Sequence, residues 1–296
     1  MSNCINKKKR YMFLVLGLGV ILLGTSCKPF YAPAGISEIS ESVVTGNIKD
    51  NSSEVESKNV YMTGTVVSIN VDASKQIVLA SDDVYVINVE GAAVTLNGKS
   101  VDITELKQGM KVEIEYDSAV QETWPGQIAN VISITSYGYA DDGRVHNICG
   151  LYIRVLEDLW NSDTGLNSSV KHISIDLSNA PGNLTESEKR AIAWIFAGKH
   201  NMEPLMLSYG ELVNEGYIKN GEGWEDGVIL SINKSDNDSD EFSFKANKYR
   251  GPLAAIFWED CTIQLNEDGE WEKQKSDSRL LERERNTNPN LLYETA

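Results

Sequence analysis

Two tripeptides set an aromatic ring beside paired carboxylates: Trp224, Glu225, Asp226 and Trp258, Glu259, Asp260. A ring that stacks on a sugar, next to two acids that share proton transfer, is what a glycosidase uses. The same residues also have a purely structural explanation. In a strand, Trp258 and Asp260 would share one face while Glu259 points to the other. That arrangement puts tryptophans in a core and acids at its rim. What separates the two is whether the tripeptides meet in one cleft, and these six residues are the candidate ligand-facing set.

Other constellations fall short of a mechanism. Ser231 and Lys234 match Ser-x-x-Lys, and residues 235–237 match Ser-Asp-Asn. Penicillin-binding enzymes need the first motif on a helix, the second on a separate loop and a Lys-Thr-Gly elsewhere. Here the first two overlap and the third is missing. None of His146, His172 and His200 is followed by Glu, so the helical zinc-peptidase pair is absent. His146 and Cys149 have a chelating spacing, but no second pair joins them. The acidic run "DNDSDE" (236–241) alternates carboxylates as calcium prefers. An EF-hand would place Gly and Glu where the chain has Glu241 and Asn247, so a solvated hairpin turn is expected instead. No Gly-x-Ser-x-Gly, P-loop or Rossmann fingerprint occurs. The expectation is no catalytic residue, no metal and no cofactor.

The N-terminus carries chemistry of another kind. Lys7, Lys8, Lys9 and Arg10 precede the apolar run "YMFLVLGLGVILLG". A basic segment followed by such a run is an export signal, and the run is shorter than the roughly 20 residues that span a bilayer. Gly24, Thr25 and Ser26 then lead to Cys27. The stretch "LLGTSC" resembles a bacterial lipobox, with Gly24 where the commonest form has Leu. The resemblance implies cleavage before Cys27 and acyl chains on its thiol, each buried CH₂ contributing about 0.8 kcal/mol to membrane anchoring. The expected location is the extracytoplasmic face of the cell membrane. Removing residues 1–26 also removes Cys4 and leaves only Cys149 and Cys261 beyond the lipidated residue. An exported pair either forms a disulfide, worth about 4–5 kcal/mol for a loop of about 110 residues, or stays as two buried thiols.

Composition narrows the partners. The chain carries a formal charge of −16, and without the four basic residues of 1–26 it carries −20, from 23 basic and 43 acidic side chains. Phosphate backbones need clustered Lys and Arg, so nucleic acid is not an expected partner.

Residues 28–58 are rich in Ser, Gly, Asn and acid without sustained periodicity, and with Cys27 they read as a tether (27–58). From Val60 the runs "VYMTGTVVSINV", "QIVLAS", "VYVINVE", "KVEIEYD" and "IANVISIT" alternate with turn signals, while "DITELKQGM" reads as a short helical turn. Five strands of this kind predict an all-β small barrel, OB-like, over residues 59–137. Ten acidic residues, four lysines and no arginine there argue against strand binding by that barrel. In the second half, Tyr152, Val155, Leu156, Leu159 and Trp160 fall at helical spacing, and Thr185 with Glu188 has capping-box spacing. "YGELVNEG" predicts a short helix, and "HISIDLS", "GVILSIN", "EFSFKANKY", "LAAIFWEDCTIQL" and "EWEKQK" predict strands. The expected second domain, residues 145–276, is α+β with helices packed on an antiparallel sheet, followed by a charged tail (277–296).

"GTVVSI", "ITELKQGMKVEIEY" and "QETWPGQIANVISI" resemble a small domain of exported lipoproteins of Gram-positive bacteria, the YobA-like group, over about residues 60–136. "LEDLWNSDTGLN", "LTESEKRAIAW" and "WEDGVILSI" are similar to uncharacterised secreted clostridial proteins. The resemblances imply fold and location and bring no catalytic residues. The resulting expectation is a lipid-anchored, non-catalytic binding, interaction or sensing module, with an envelope protein or peptide as partner. The alternative is an envelope-polymer hydrolase using the tryptophan-flanked carboxylates.

Overall fold

The computed structural model describes residues 60–70, 74–117, 119–235, 242–265 and 271–280. The signal (1–26), Cys27 and its tether, the acidic turn 236–241 and residues 281–296 lie outside the described residues.

Eight strands form the first sheet: β1 (Val60–Asn70), β2 (Gln76–Ala80), β3 (Val84–Asn88), β4 (Ala93–Leu96), β5 (Lys99–Val101), β6 (Met110–Tyr116), β7 (Gly126–Ile128) and β8 (Val131–Tyr139). Their order is β5-β4-β8-β6-β1-β2-β3-β7. β6 shows why these segments are strands. Met110, Val112, Ile114 and Tyr116 are buried, while the residues between them face outward. The helical turn is a single 3-10 turn, Ile103–Glu105, capped by Asp102.

The closed five-stranded barrel is not what forms. The sheet is mixed, with β3–β7 and β4–β8 parallel, and its end strands β5 and β7 are not paired to each other. The three additional strands are three or four residues long, too short for alternation to reveal them. Ile77, Leu79, Ile114 and Ile134 form a core with other residues of this sheet and Leu106, which requires the sheet to curl over its own apolar face.

The rest of the chain runs α1 (Ile148–Ser162), β9 (His172–Asp176), α2 (Glu186–Lys199), β10 (Pro204–Leu205), α3 (Tyr209–Asn214), β11 (Gly227–Lys234), β12 (Ser243–Gly251), β13 (Ala254–Leu265) and β14 (Trp271–Leu280). The second sheet has the order β10-β9-β11-β12-β13-β14. It too differs from expectation, because β9 pairs in parallel with both β10 and β11, and only the other half is antiparallel. A helix between two strands returns the chain in its starting direction; α2 does this between β9 and β10. The last strand also reaches Leu280, four residues into the expected tail.

The helices join the two sheets. One apolar cluster takes Val67, Ala80 and Val84 from the outer side of the first sheet, Leu156 and Phe196 from α1 and α2, and Val228 and Leu230 from β11. The opposite face of the second sheet is closed by α3, with Leu212, Trp224, Ile229 and Tyr249 buried together.

Candidate functional site

The two tryptophan-acid tripeptides do not meet. Trp224 and Trp258 are only 3% and 7% exposed, and they belong to different clusters on opposite faces of the second sheet. Trp224 packs beside α3, whereas Trp258 packs in the cluster that holds α1 and α2. The acids disperse likewise. Asp226 faces Lys171 at 3.7 Å and His172 at 3.8 Å, and Glu259 faces Lys245 at 3.6 Å. The exposed Glu225 offers only its backbone carbonyl, which accepts from Arg250 at 2.6 Å. Strand alternation also fails at Asp260. The register slips between Glu259 and Thr262, and Asp260 has φ 48°. Cys261, rather than Asp260, therefore shares the buried face with Trp258. No pair of these carboxylates is set around a common cleft.

Cys149 and Cys261 are both buried thiols of one apolar cluster. Burial pushes the Cys149 thiol far above its ordinary range, and the nearby Glu188 charge adds to that shift.

A different site emerges on the first sheet. Inward-facing residues of β1, β6 and β8 fill the core, so the alternate positions form an outward lattice. Cross-strand register sets Tyr61 against Glu115, Thr63 against Glu113 and Thr65 against Lys111. On the far side of β6, Thr135 pairs with Glu113 and Ser133 with Glu115. A register slip opposite Lys111 and Val112 leaves Tyr137 as an extra residue, 79% exposed. The slip is secured by Ser136, whose hydroxyl donates to the Lys111 carbonyl at 2.7 Å and accepts from the Gly138 N–H at 3.1 Å.

This lattice floors a groove of about 560 Å³, lined as well by the Ser81–Asp82 turn and by Thr185, the N-cap of α2. Ser81 fixes its turn by donating to the Thr63 carbonyl at 2.6 Å, and Ser187 of α2 donates to the Ser81 carbonyl at 2.7 Å. The volume lies in the range of small-ligand clefts.

Beneath the groove lies a connected polar chain. Lys111 Nζ donates to Thr65 Oγ1 at 2.6 Å, and Thr65 Oγ1 donates to Glu188 Oε1 at 3.1 Å. Glu188, 1% exposed, also accepts from Arg144 at 3.0 Å and from the Thr185 N–H at 2.9 Å. Arg144 in turn pairs with Asp142 at 2.9 Å, and that hydrogen bond holds the Asp142 carboxyl below its usual range. A buried carboxylate so fully hydrogen-bonded is held rigidly in place. It fixes Thr65, and Thr65 fixes the ammonium of Lys111.

The charges facing the groove are treated differently from those around it. Glu115 accepts from Tyr61 and Ser133, and Asp83 pairs with Arg190 at 2.9 Å. Among the described residues, Lys111 has no carboxylate within ion-pair distance, although its charge is felt at Asp142, and the exposed Glu113 has neither ion pair nor side-chain hydrogen bond. Asp82 takes only the Tyr85 hydroxyl, at 3.0 Å.

Sequence reasoning passed over this site. The alternation in "KVEIEY" marks a half-buried strand with Lys111, Glu113 and Glu115 on one face and nothing more. The groove needs β1, β8 and α2 as well, and their registers are not legible from spacing. A second buried group escaped as well. Lys248, with no surface exposed, donates to the carbonyls of Trp160 and Asp163 at 2.8 and 2.6 Å and closes the C-terminal end of α1. Burial pushes its pKa down to about 8, against the opposing Asp163 charge.

Among the described residues, no three or more His, Cys, Asp or Glu side chains converge as metal ligands, and no helix is long and apolar enough to cross a membrane. Comparisons with protein-family models, curated proteins and solved structures each find no match to this chain.

Proposed function

We propose that the protein is a lipid-anchored binding module of the cell envelope, held at the extracytoplasmic face through Cys27 and acting without catalysis. The lipobox-like "LLGTSC" supports the anchor. The groove on the first sheet supports binding, and it is the observation that carries the reading. It is a rigid, hydroxyl-lined cleft with one cation and two acids left without ion partners among the described residues. A site with spare charges on an immobilised scaffold is pre-organised for a polar ligand. The hydrolase alternative is less well supported, because the two tryptophans are buried in separate clusters rather than lining one cleft with the acids.

Cell fractionation combined with cross-linking on intact cells tests this. The wild-type protein is expected in the membrane fraction with a specific envelope protein or peptide attached. Cys27→Ala is expected to release it and to abolish capture. Unchanged membrane retention of that variant would refute the anchor, and absence of any captured component at full surface expression would refute the binding role.

A further inference from the structure

We infer that the groove receives a lysine or arginine side chain of the envelope partner, its cation bound by Glu113. The inference rests on the binding role proposed above and names the partner's chemistry at the site.

The balance of uncommitted charge points to a cation. Around the groove other acids are taken: Glu115 accepts from Tyr61 and Ser133, and Asp83 pairs with Arg190. Glu113 is left exposed, with neither ion pair nor side-chain hydrogen bond among the described residues. Asp82 adds a second negative charge that only the Tyr85 hydroxyl meets. Lys111 forms no ion pair with Glu113. Its ammonium is spent on Thr65 Oγ1 at 2.6 Å, and Thr65 leads on to the buried Glu188. Beyond residue 26 the chain as a whole carries −20, a field that draws cationic partners toward it.

The neighbours of Glu113 suit a basic head group. Thr63 on β1 and Thr135 on β8 both pair directly with Glu113, so a carboxylate stands between two threonines across three strands. Cross-strand neighbours of this kind lie about 5 Å apart. Neither hydroxyl has a hydrogen-bond partner among the described residues. An ammonium or a guanidinium carries more donors than one carboxylate uses, and the two hydroxyls can accept the rest. Tyr137 lines the same groove with 79% of its surface exposed, and an aromatic face attracts a cation. An acidic side chain would meet Glu113 and Asp82 as like charges, and a neutral one would leave them uncompensated. The groove opens on the outer face of the sheet, so a side chain can enter while the chain that bears it stays outside.

The test is saturation-transfer NMR on the full chain in non-ionic detergent. Three N-acetylated, C-amidated peptides of Gly and Ser serve as probes, with a central lysine, norleucine or glutamate. The lysine peptide is expected to bind, with the other two at least about tenfold weaker, the usual effect of losing one charge-assisted hydrogen bond. Glu113→Gln should weaken the lysine peptide about tenfold, and Tyr137→Leu about threefold. Glu203→Gln, which removes one exposed acid outside the groove, should change nothing. Circular dichroism of each variant establishes that it is folded. Equal binding of the lysine and norleucine peptides overturns the inference, as does equal weakening by Glu113→Gln and Glu203→Gln, which would mark diffuse charge. Preference for the glutamate peptide, lost in Lys111→Met, overturns it in favour of an acidic partner. If no peptide shows transfer while cells still show anchor-dependent capture, the basic side chain is wrong and the binding role stands. If both fail, the binding role fails as well.

Discussion

Thr65 on the first sheet and Glu188 at the start of α2 share a buried hydrogen bond of 3.1 Å, although 123 positions separate them in the chain. The Glu188 carboxylate completes the capping box of its own helix, ties that helix to the first sheet and receives Arg144 from the segment connecting the two halves. The groove above it inherits its rigidity from this one carboxylate.

Removing it should therefore be costly. Glu188→Ala leaves Arg144, only 18% exposed at its side chain, with Asp142 alone, and breaking such a buried pair costs about 3 kcal/mol. For a body of this size that corresponds to a drop in Tm of roughly 6–12 °C. Differential scanning calorimetry reads it directly, and a shift under 2 °C would show that the network is ornamental.

Lys248 gives stability a particular pH dependence. Its folded pKa is about 8 against 10.5 for an exposed lysine. Between those values the unfolded chain holds a proton that the folded one has released, so raising the pH favours folding. Below pH 8 both states are protonated and the cost of burying the charge is fully present. Wild type should gain on Lys248→Met as pH rises from 8 to 10, followed by urea unfolding of both proteins at each pH. A constant difference between them would contradict the shift. The neutral amine still donates to both carbonyls, so the cap survives deprotonation.

The two tryptophans should behave as core residues. Trp258→Ala is expected to cost about 3–5 kcal/mol, whereas Glu259→Gln, which breaks only a half-exposed contact with Lys245, should cost at most about 1 kcal/mol. Chemical denaturation distinguishes these values. A large loss for Glu259→Gln would mean that the carboxylate has a role beyond the rim.

Thiol chemistry offers a third check on packing. Iodoacetamide should leave Cys149 and Cys261 unmodified in the folded protein and alkylate both in urea without any reductant, as counted by peptide mass spectrometry. Protection in urea that disappears on adding reductant would reveal a disulfide instead.

Local features were legible because they depend on near neighbours. The alternation in β6 and the three-residue spacing of Thr185 and Glu188 both appear in the structure where the sequence places them. The closed barrel and the antiparallel second sheet were not, because their topology turns on segments too short to read. β4, β5, β7 and β10 have two to four residues each, and β4, β7 and β10 each enter a parallel pairing. Asp260 shows the same limit at one residue, since a single inserted position swaps it with Cys261 on the buried face. The groove is less legible still. Lys111, Glu113 and Tyr137 acquire meaning only when β1, β8 and the N-cap of α2 are brought around them.

The most direct test of the account is photo-cross-linking on intact cells, with a photoreactive residue in place of Tyr137 at the groove rim and, as a control, in place of Tyr217, exposed beyond α3. The account predicts a discrete envelope peptide or protein captured from position 137, lost with Cys27→Ala and absent from position 217. Equal capture from both positions, or none from 137 with the protein abundant at the surface, would contradict it.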